Sequence, residues 1–188
     1  MIFPGEDTRI ESMAYFHPGH RNMLVRGSLL AERIVSKETR WSGDGFYDVV
    51  TLAESGDEER QEGVFAHLLL LSPREKHKPP LFRICLQDIE ICDFVSRHRE
   101  IDLMSFFTFI MTHELLHIHR FSSGMADFFE SRKEDEEAFV DTLTRLLLAK
   151  YPLTGLKNVL TLLDKVEAAP LYSSTKIADQ GSHFHAYL

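Results

Sequence analysis

The segment Leu103 to Ile118, LMSFFTFIMTHELLHI, is apolar nearly all round and yet carries two histidines and a glutamate in its second half. A helix of that composition belongs inside a domain, since a surface helix keeps one polar face. Polar side chains in such a place need partners, because each one buried unpaired costs about 2–7 kcal/mol. His113 and His117 are four positions apart, which on a helix sets them one above the other, able to offer two imidazole nitrogens to one ion. Glu114 is rotated from His113 by about 100°. From there its carboxylate can reach a water on the metal without becoming a ligand, the arrangement that metal-assisted hydrolysis requires. A bound divalent cation would satisfy all three groups.

A zinc hydrolase site takes a third protein ligand and keeps a fourth position open. The acidic run Glu134-Asp135-Glu136-Glu137 opens a second helical pattern downstream, and a glutamate there can supply that ligand.

With these residues in view, the chain resembles the gluzincins, the thermolysin-like zinc metallopeptidases. Their pattern is H-E-x-x-H followed on a second helix by E-x-x-x-D. His113, Glu114 and His117 match the first part, Glu137 and Asp141 the second, and the 20 positions from His117 to Glu137 are similar to the thermolysin spacing. The resemblance covers about Thr112 to Asp141, and at 188 residues the nearer comparison is with the small single-domain minigluzincins. It implies a zincin-like α+β fold, Zn²⁺ held by His113, His117 and Glu137, and Glu114 as general base. The substrate would be a peptide or protein. It also implies that Asp141 accepts a hydrogen bond from a ligand imidazole and fixes its tautomer. Asp141 one turn on and the small Ala138 beside it favour Glu137 as ligand; Glu134 shares its face at i−3 and is the alternative. An oxyanion-stabilising side chain is also expected, with His20, His98, Arg120, Tyr172 and His183 all open.

Along the rest of the chain, residues 1–18 read as a leader, with turn signals at Pro4-Gly5 and Pro18-Gly19. Met23, Leu30 and Ile34 recur at helical spacing within 21–37. Strands are expected over Phe46 to Ala53, Gly63 to Ser72 and Leu81 to Ile91, the last with Phe82, Ile84 and Leu86 on one better-buried face. By the family resemblance that third strand would be the edge along which a peptide lies. A ligand helix should span about 132–150 with Phe139, Leu143, Leu146 and Leu147 as its core stripe, followed by a helix over 153–168 and a tail over 170–188.

A chain that is 44% hydrophobic and 27% charged can bury a core, and its length suits one domain over 1–188. A net charge of −8 with scattered basic residues argues against nucleic acid and anionic membrane as partners. The first residues lack a basic start and apolar run, so a cytoplasmic location is expected. Cys85 and Cys92 lack zinc-site spacing and read as thiols. His119, about 200° round the helix from His117, should point away from the metal. His183 and His185 form a weak metal tract, and the tail or the leader could cover the cleft. Two rival readings remain: a catalytically silent zincin-like metal-binding or regulatory domain, and a structural helix with accidental spacing.

Overall fold

The computed structural model describes residues 15–73, 79–129 and 133–166. Most of the expected leader and all of the expected tail, including Tyr172, His183 and His185, lie outside the described residues. The elements are α1 (Arg21–Thr39), β1 (Tyr47–Thr51), α2 (Leu52–Ser55), β2 (Ala66–Ser72), β3 (Leu81–Leu86), α3 (Asp88–Arg97), α4 (Leu103–Ser122), α5 (Lys133–Leu148) and α6 (Thr154–Val166), with short 3-10 turns at Pro18–His20 and Asp57–Glu59. The class is α+β, with a mixed sheet in the order β1-β3-β2 in which β1 runs parallel and β2 antiparallel to β3.

Helix α4 is the axis. Asp102 caps its start by accepting the Ser105 amide at 2.9 Å, which satisfies one of the amides a helix start leaves open. Phe106, Phe107, Phe109, Met111, Leu115, Leu116 and Ile118 along it are all at most 1% exposed, so it is enclosed on every side. After Ser122 the chain turns at Gly124 in the left-handed region, φ 72°. Helix α1 packs along α4, and the buried Gly27 is what lets it come close: a Cβ there would lie 3.1 Å from the Met104 carbonyl oxygen. Phe82, Ile84 and Leu86 of β3 close the sheet side of the same core. Among the described residues, no helix is long and apolar enough to cross a membrane.

Three expectations need correction. The strand expected over Leu81 to Ile91 ends at Leu86, and α3 follows. The alternation of Ile89 and Ile91 imitates a strand, but Asp88 and Glu90 fall in a helical first turn, while Ile91 and Phe94, three apart, enter the core. The wholly buried Asp88 carboxylate anchors the break, accepting the Leu52 amide at 2.9 Å and the Phe16 amide at 3.4 Å. Secondly, β3 is the central strand and not an edge; among the described residues the edge strands are β1 and β2. Its second face is covered too, with Cys85 and Gln87 buried beneath His67 and the segment carrying Glu59 and Gln61.

Thirdly, Phe139 and Leu146 of α5 are 50% and 61% exposed, and the buried stripe is Glu136, Val140, Thr144, Leu147 and Leu148. A helix can present only one face to the core, and the face with Glu136 on it wins over the more apolar one. The other two strands are shorter than expected, and the short α2 takes the end of the first. Expected helices over 21–37, 103–118, 132–150 and 153–168 each correspond to an observed one.

Helix α6 docks on the start of α4 through Gly155, where a Cβ would fall 2.0 Å from Ser105 Oγ, 2.5 Å from Asp102 Oδ2 and 2.9 Å from Ser105 Cβ. Substituting Gly155→Ala must displace the cap of α4 or move α6. The expected loss is about 1–3 kcal/mol in chemical denaturation, the usual cost of overpacking. A variant as stable as the parent would show that α6 does not pack this closely.

Candidate metal centre

The i, i+4 relation on α4 brings His113 Nε2 and His117 Nε2 to 3.1 Å. From α5, Glu137 Oε2 lies 3.1 Å from the first and 3.3 Å from the second. Glu134 is exposed and outside this group. Both histidines are 3% exposed and the Glu137 side chain 18%.

Protons alone cannot satisfy such a triangle. Each Nε2 has a single position, holding either a proton or a lone pair, so at most two of the three edges can be hydrogen bonds. A tetrahedral site with bonds of about 2.0–2.1 Å has edges of about 3.3–3.4 Å, close to those observed. His113, His117 and Glu137 therefore form a donor set that could hold a metal ion.

Charge points the same way. Glu114 and Glu136 are each 8% exposed, and with Glu137 they make three carboxylates against the single guanidinium of Arg120. With all ionised and the imidazoles neutral, the excess equals the charge of one divalent cation. Burial pushes the Glu114 carboxyl above its ordinary range, a shift opposed by His113 and His117 and reinforced by Glu137. Burial would lower His117, but Glu136 and Glu137 beside it carry it up to about 9. Burial would raise Glu137, and the two imidazoles hold it well below the carboxylate range instead.

The surroundings of the triangle differ from expectation in one respect. Asp141 Oδ2 accepts from Arg145 Nε at 2.7 Å, and its buried Oδ1 makes no hydrogen bond among the described residues, so Asp141 is not bonded to a ligand imidazole here. The carboxylate that approaches a ligand histidine from behind is Glu136, whose Oε1 lies 3.6 Å from His117 Nδ1. Arg120 grips Glu136 through two bonds of 2.7 and 2.8 Å. Glu136 adjoins Glu137 in sequence, and residues one apart do not share a helix face, which is why spacing did not single it out. Arg120, one turn beyond His117 and among the oxyanion candidates, is engaged by Glu136 through Nε and one terminal nitrogen.

Two other oxyanion candidates lie elsewhere. His20 packs on Phe16, which meets Phe107, and His98 packs on Phe94, which stacks on Phe106. Both thus flank the first turns of α4, about two turns from His113. His119 faces away from the triangle, its ring 5.5 Å from that of Trp41. Compared with protein-family models, curated proteins and solved structures, the chain matches none.

A second group, Glu59, His67 and Cys85, also brings three donor atoms within 4.8 Å of one another. Here the proton positions argue against an ion. Gln87 Oε1 accepts the Gln61 amide at 2.8 Å, which fixes the amide so that Nε2 donates to the Glu59 carbonyl at 3.1 Å and to His67 Nδ1 at 3.3 Å. The proton of neutral His67 is then on Nε2, which lies 3.5 Å from Glu59 Oε2 without a hydrogen bond, and no lone pair is left there for a metal. Burial pushes the Cys85 thiol up to about 12, further from the thiolate a metal needs.

Long-range nitrogen-15 spectra of the imidazoles distinguish the two groups. Adding a divalent cation should move the His113 and His117 resonances and leave His67 as the Nε2–H tautomer. Movement of His67 at stoichiometric cation would overturn the tautomer argument.

Proposed function

We propose that this chain is a zinc-dependent metallopeptidase of the gluzincin kind, with a zincin-like fold, hydrolysing peptide or protein substrates. The observation that carries the reading is the triangle of His113, His117 and Glu137, whose edges suit a tetrahedral cation and cannot all be hydrogen bonds. Three donors, two imidazole and one carboxylate, match the protein ligands of a catalytic zinc site, which takes a water in its fourth position, and not the four of a structural one. Zn²⁺ in that place would polarise a scissile carbonyl and bring the pKa of a water to about 7.

The chain's own residues supply the rest. Glu114 sits next to the triangle in sequence and feels the charges of all three of its members, but is not part of it. Its carboxylate takes the proton of the attacking water and delivers it to the leaving amine, and a carboxyl raised above its ordinary range suits both halves of that transfer. Phe121 stacks on the His117 ring, centroids 5.7 Å apart and planes 14° apart, and keeps water from that side.

An extended substrate would add to a free sheet edge, where backbone hydrogen bonds provide affinity. With β3 central, the edge that suits this is β2, the antiparallel strand that packs against α4. Two free thiols, Cys85 and Cys92, favour a reducing compartment and so the cytoplasm. One observation favours a second reading: His113, His117 and Glu114 are 3%, 3% and 8% exposed, so the site is nearly closed, as in a zincin-like domain that binds metal without turnover.

Tag-free protein should hold one equivalent of zinc, lost on chelation, and should cleave unstructured casein. Glu114→Gln should retain the zinc and lose about 10²–10⁴-fold in cleavage rate, the usual worth of a positioned proton carrier. Absence of stoichiometric zinc sinks the metal reading. Zinc without cleavage in either protein selects the silent domain, and equal cleavage by both removes Glu114 from the chemistry.

A further inference from the structure

We infer that Arg120 and Glu136 are a positioning pair for His117, holding its imidazole in the tautomer and orientation that direct Nε2 at the metal, in place of the role the resemblance gives to Asp141. The inference rests on the metal reading proposed above and extends it to two residues outside the donor set.

The geometry runs as a chain through two helices. His117 Nε2 is one corner of the triangle, so a metal there requires Nδ1 to carry the ring proton. Glu136 Oε1 is the carboxylate atom behind that nitrogen, at 3.6 Å; Nδ1 makes no hydrogen bond at this distance, and an approach of a few tenths of an ångström would form one. Arg120 Nε and its terminal nitrogen fix both oxygens of Glu136, so the carboxylate cannot rotate away from the ring. The guanidinium is in turn held over the Phe139 ring, 4.1 Å from its centroid, which accounts for a half-exposed phenylalanine on the outer side of α5.

Stability alone is a poor reason for this arrangement. The Arg120 side chain is 16% exposed and that of Glu136 8%, and a buried ion pair commonly contributes no more than apolar residues of the same volume. Orientation of a metal ligand is where such a pair has an effect, and a charged carboxylate behind an imidazole also makes it a stronger donor. Asp141 is occupied differently: Arg145 joins it to Asp164, at 2.7 and 2.6 Å, and so ties α5 to α6.

The test measures zinc affinity by competition against a chromophoric chelator for the full chain and for Glu136→Gln, Glu136→Ala, Arg120→Ala and the double variant Arg120→Ala/Glu136→Ala. Melting of each metal-free protein reports folding separately. Glu136→Ala should bind zinc about 10–100-fold more weakly than the parent, the usual cost of losing a partner behind a ligand. Glu136→Gln, which keeps the shape and an acceptor, should fall between them. Because Arg120 acts through Glu136, the double variant should bind no more weakly than Glu136→Ala, within about twofold. With cobalt in place of zinc, the visible spectrum of saturated Glu136→Gln should differ from that of the parent, a change that loss of stability does not produce. If the parent holds zinc and both Glu136 variants hold it within about twofold, the pair is structural only and the inference fails while the metal reading stands. Losses that add in full in the double variant remove Arg120 from the chain of action. A parent without zinc overturns the metal reading and this inference with it.

Discussion

Two imidazoles and one carboxylate held at mutual distances of 3.1, 3.1 and 3.3 Å where a buried, largely apolar helix meets an amphipathic one are a constraint that most of the molecule serves. To bring them together, α4 must be buried on all sides, and that requires α1 on one flank, the sheet on another and α6 over its start. It also requires α5 to turn Glu136 and Glu137 inward, at the expense of leaving Phe139 and Leu146 in solvent. Turning α5 so that its more apolar stripe faced the core would bury more hydrocarbon, at about 25 cal/mol per Å², and would pull the third corner out of the triangle. The rotation actually adopted shows which term dominates at this contact. It sets the Glu136 and Glu137 carboxylates against the two buried imidazoles, while Val140, Leu147 and Leu148 supply apolar contact on the inward side and Phe139 packs under Arg120.

The same reasoning explains which parts of the chain were legible in its sequence. The helix carrying the histidines was legible because its composition and the four-residue interval act together. Glu137 was expected in the triangle from the family resemblance, with Asp141 one turn on and Ala138 beside it favouring it over Glu134, and the fold brings it there. What failed was whatever depended on tertiary choice. Period-two alternation through Ile89 and Ile91 could not foretell that the Asp88 carboxylate would be drawn in to receive the amides of Leu52 and Phe16, ending the strand and starting α3. The order of strands in the sheet depends on chain crossing and has no signature in a single strand, so the placing of β3 at an edge rested on resemblance alone.

Glu136 and Asp141 illustrate the limit more sharply. Both are acids on α5, and the interval of four from Glu137 selected Asp141. In the fold, Arg145 at i+4 from Asp141 engages one of its oxygens, while Arg120, arriving from α4, draws Glu136 against His117. Which acid lies behind the imidazole is thus decided by where two arginines fall. Of the two, Arg145 is visible as an i, i+4 partner within one helix. Arg120 belongs to a different helix, and its pairing exists only once α4 and α5 are packed.

The electrostatics of the centre couple its occupancy to the fold. Without a cation, Glu114, Glu136 and Glu137 are enclosed with one guanidinium, and part of their charge is relieved only by protons: on His117, raised to about 9, and on Glu114, displaced upward by burial. With a divalent cation the same set is neutral and both imidazoles can be uncharged. Because an unfolded chain cannot assemble these donors from two helices, the free energy of binding becomes free energy of folding. Of the three acids, Glu114 is the one that neither joins the triangle nor pairs with Arg120, and burial, reinforced by Glu137, displaces its carboxyl upward against the pull of both imidazoles.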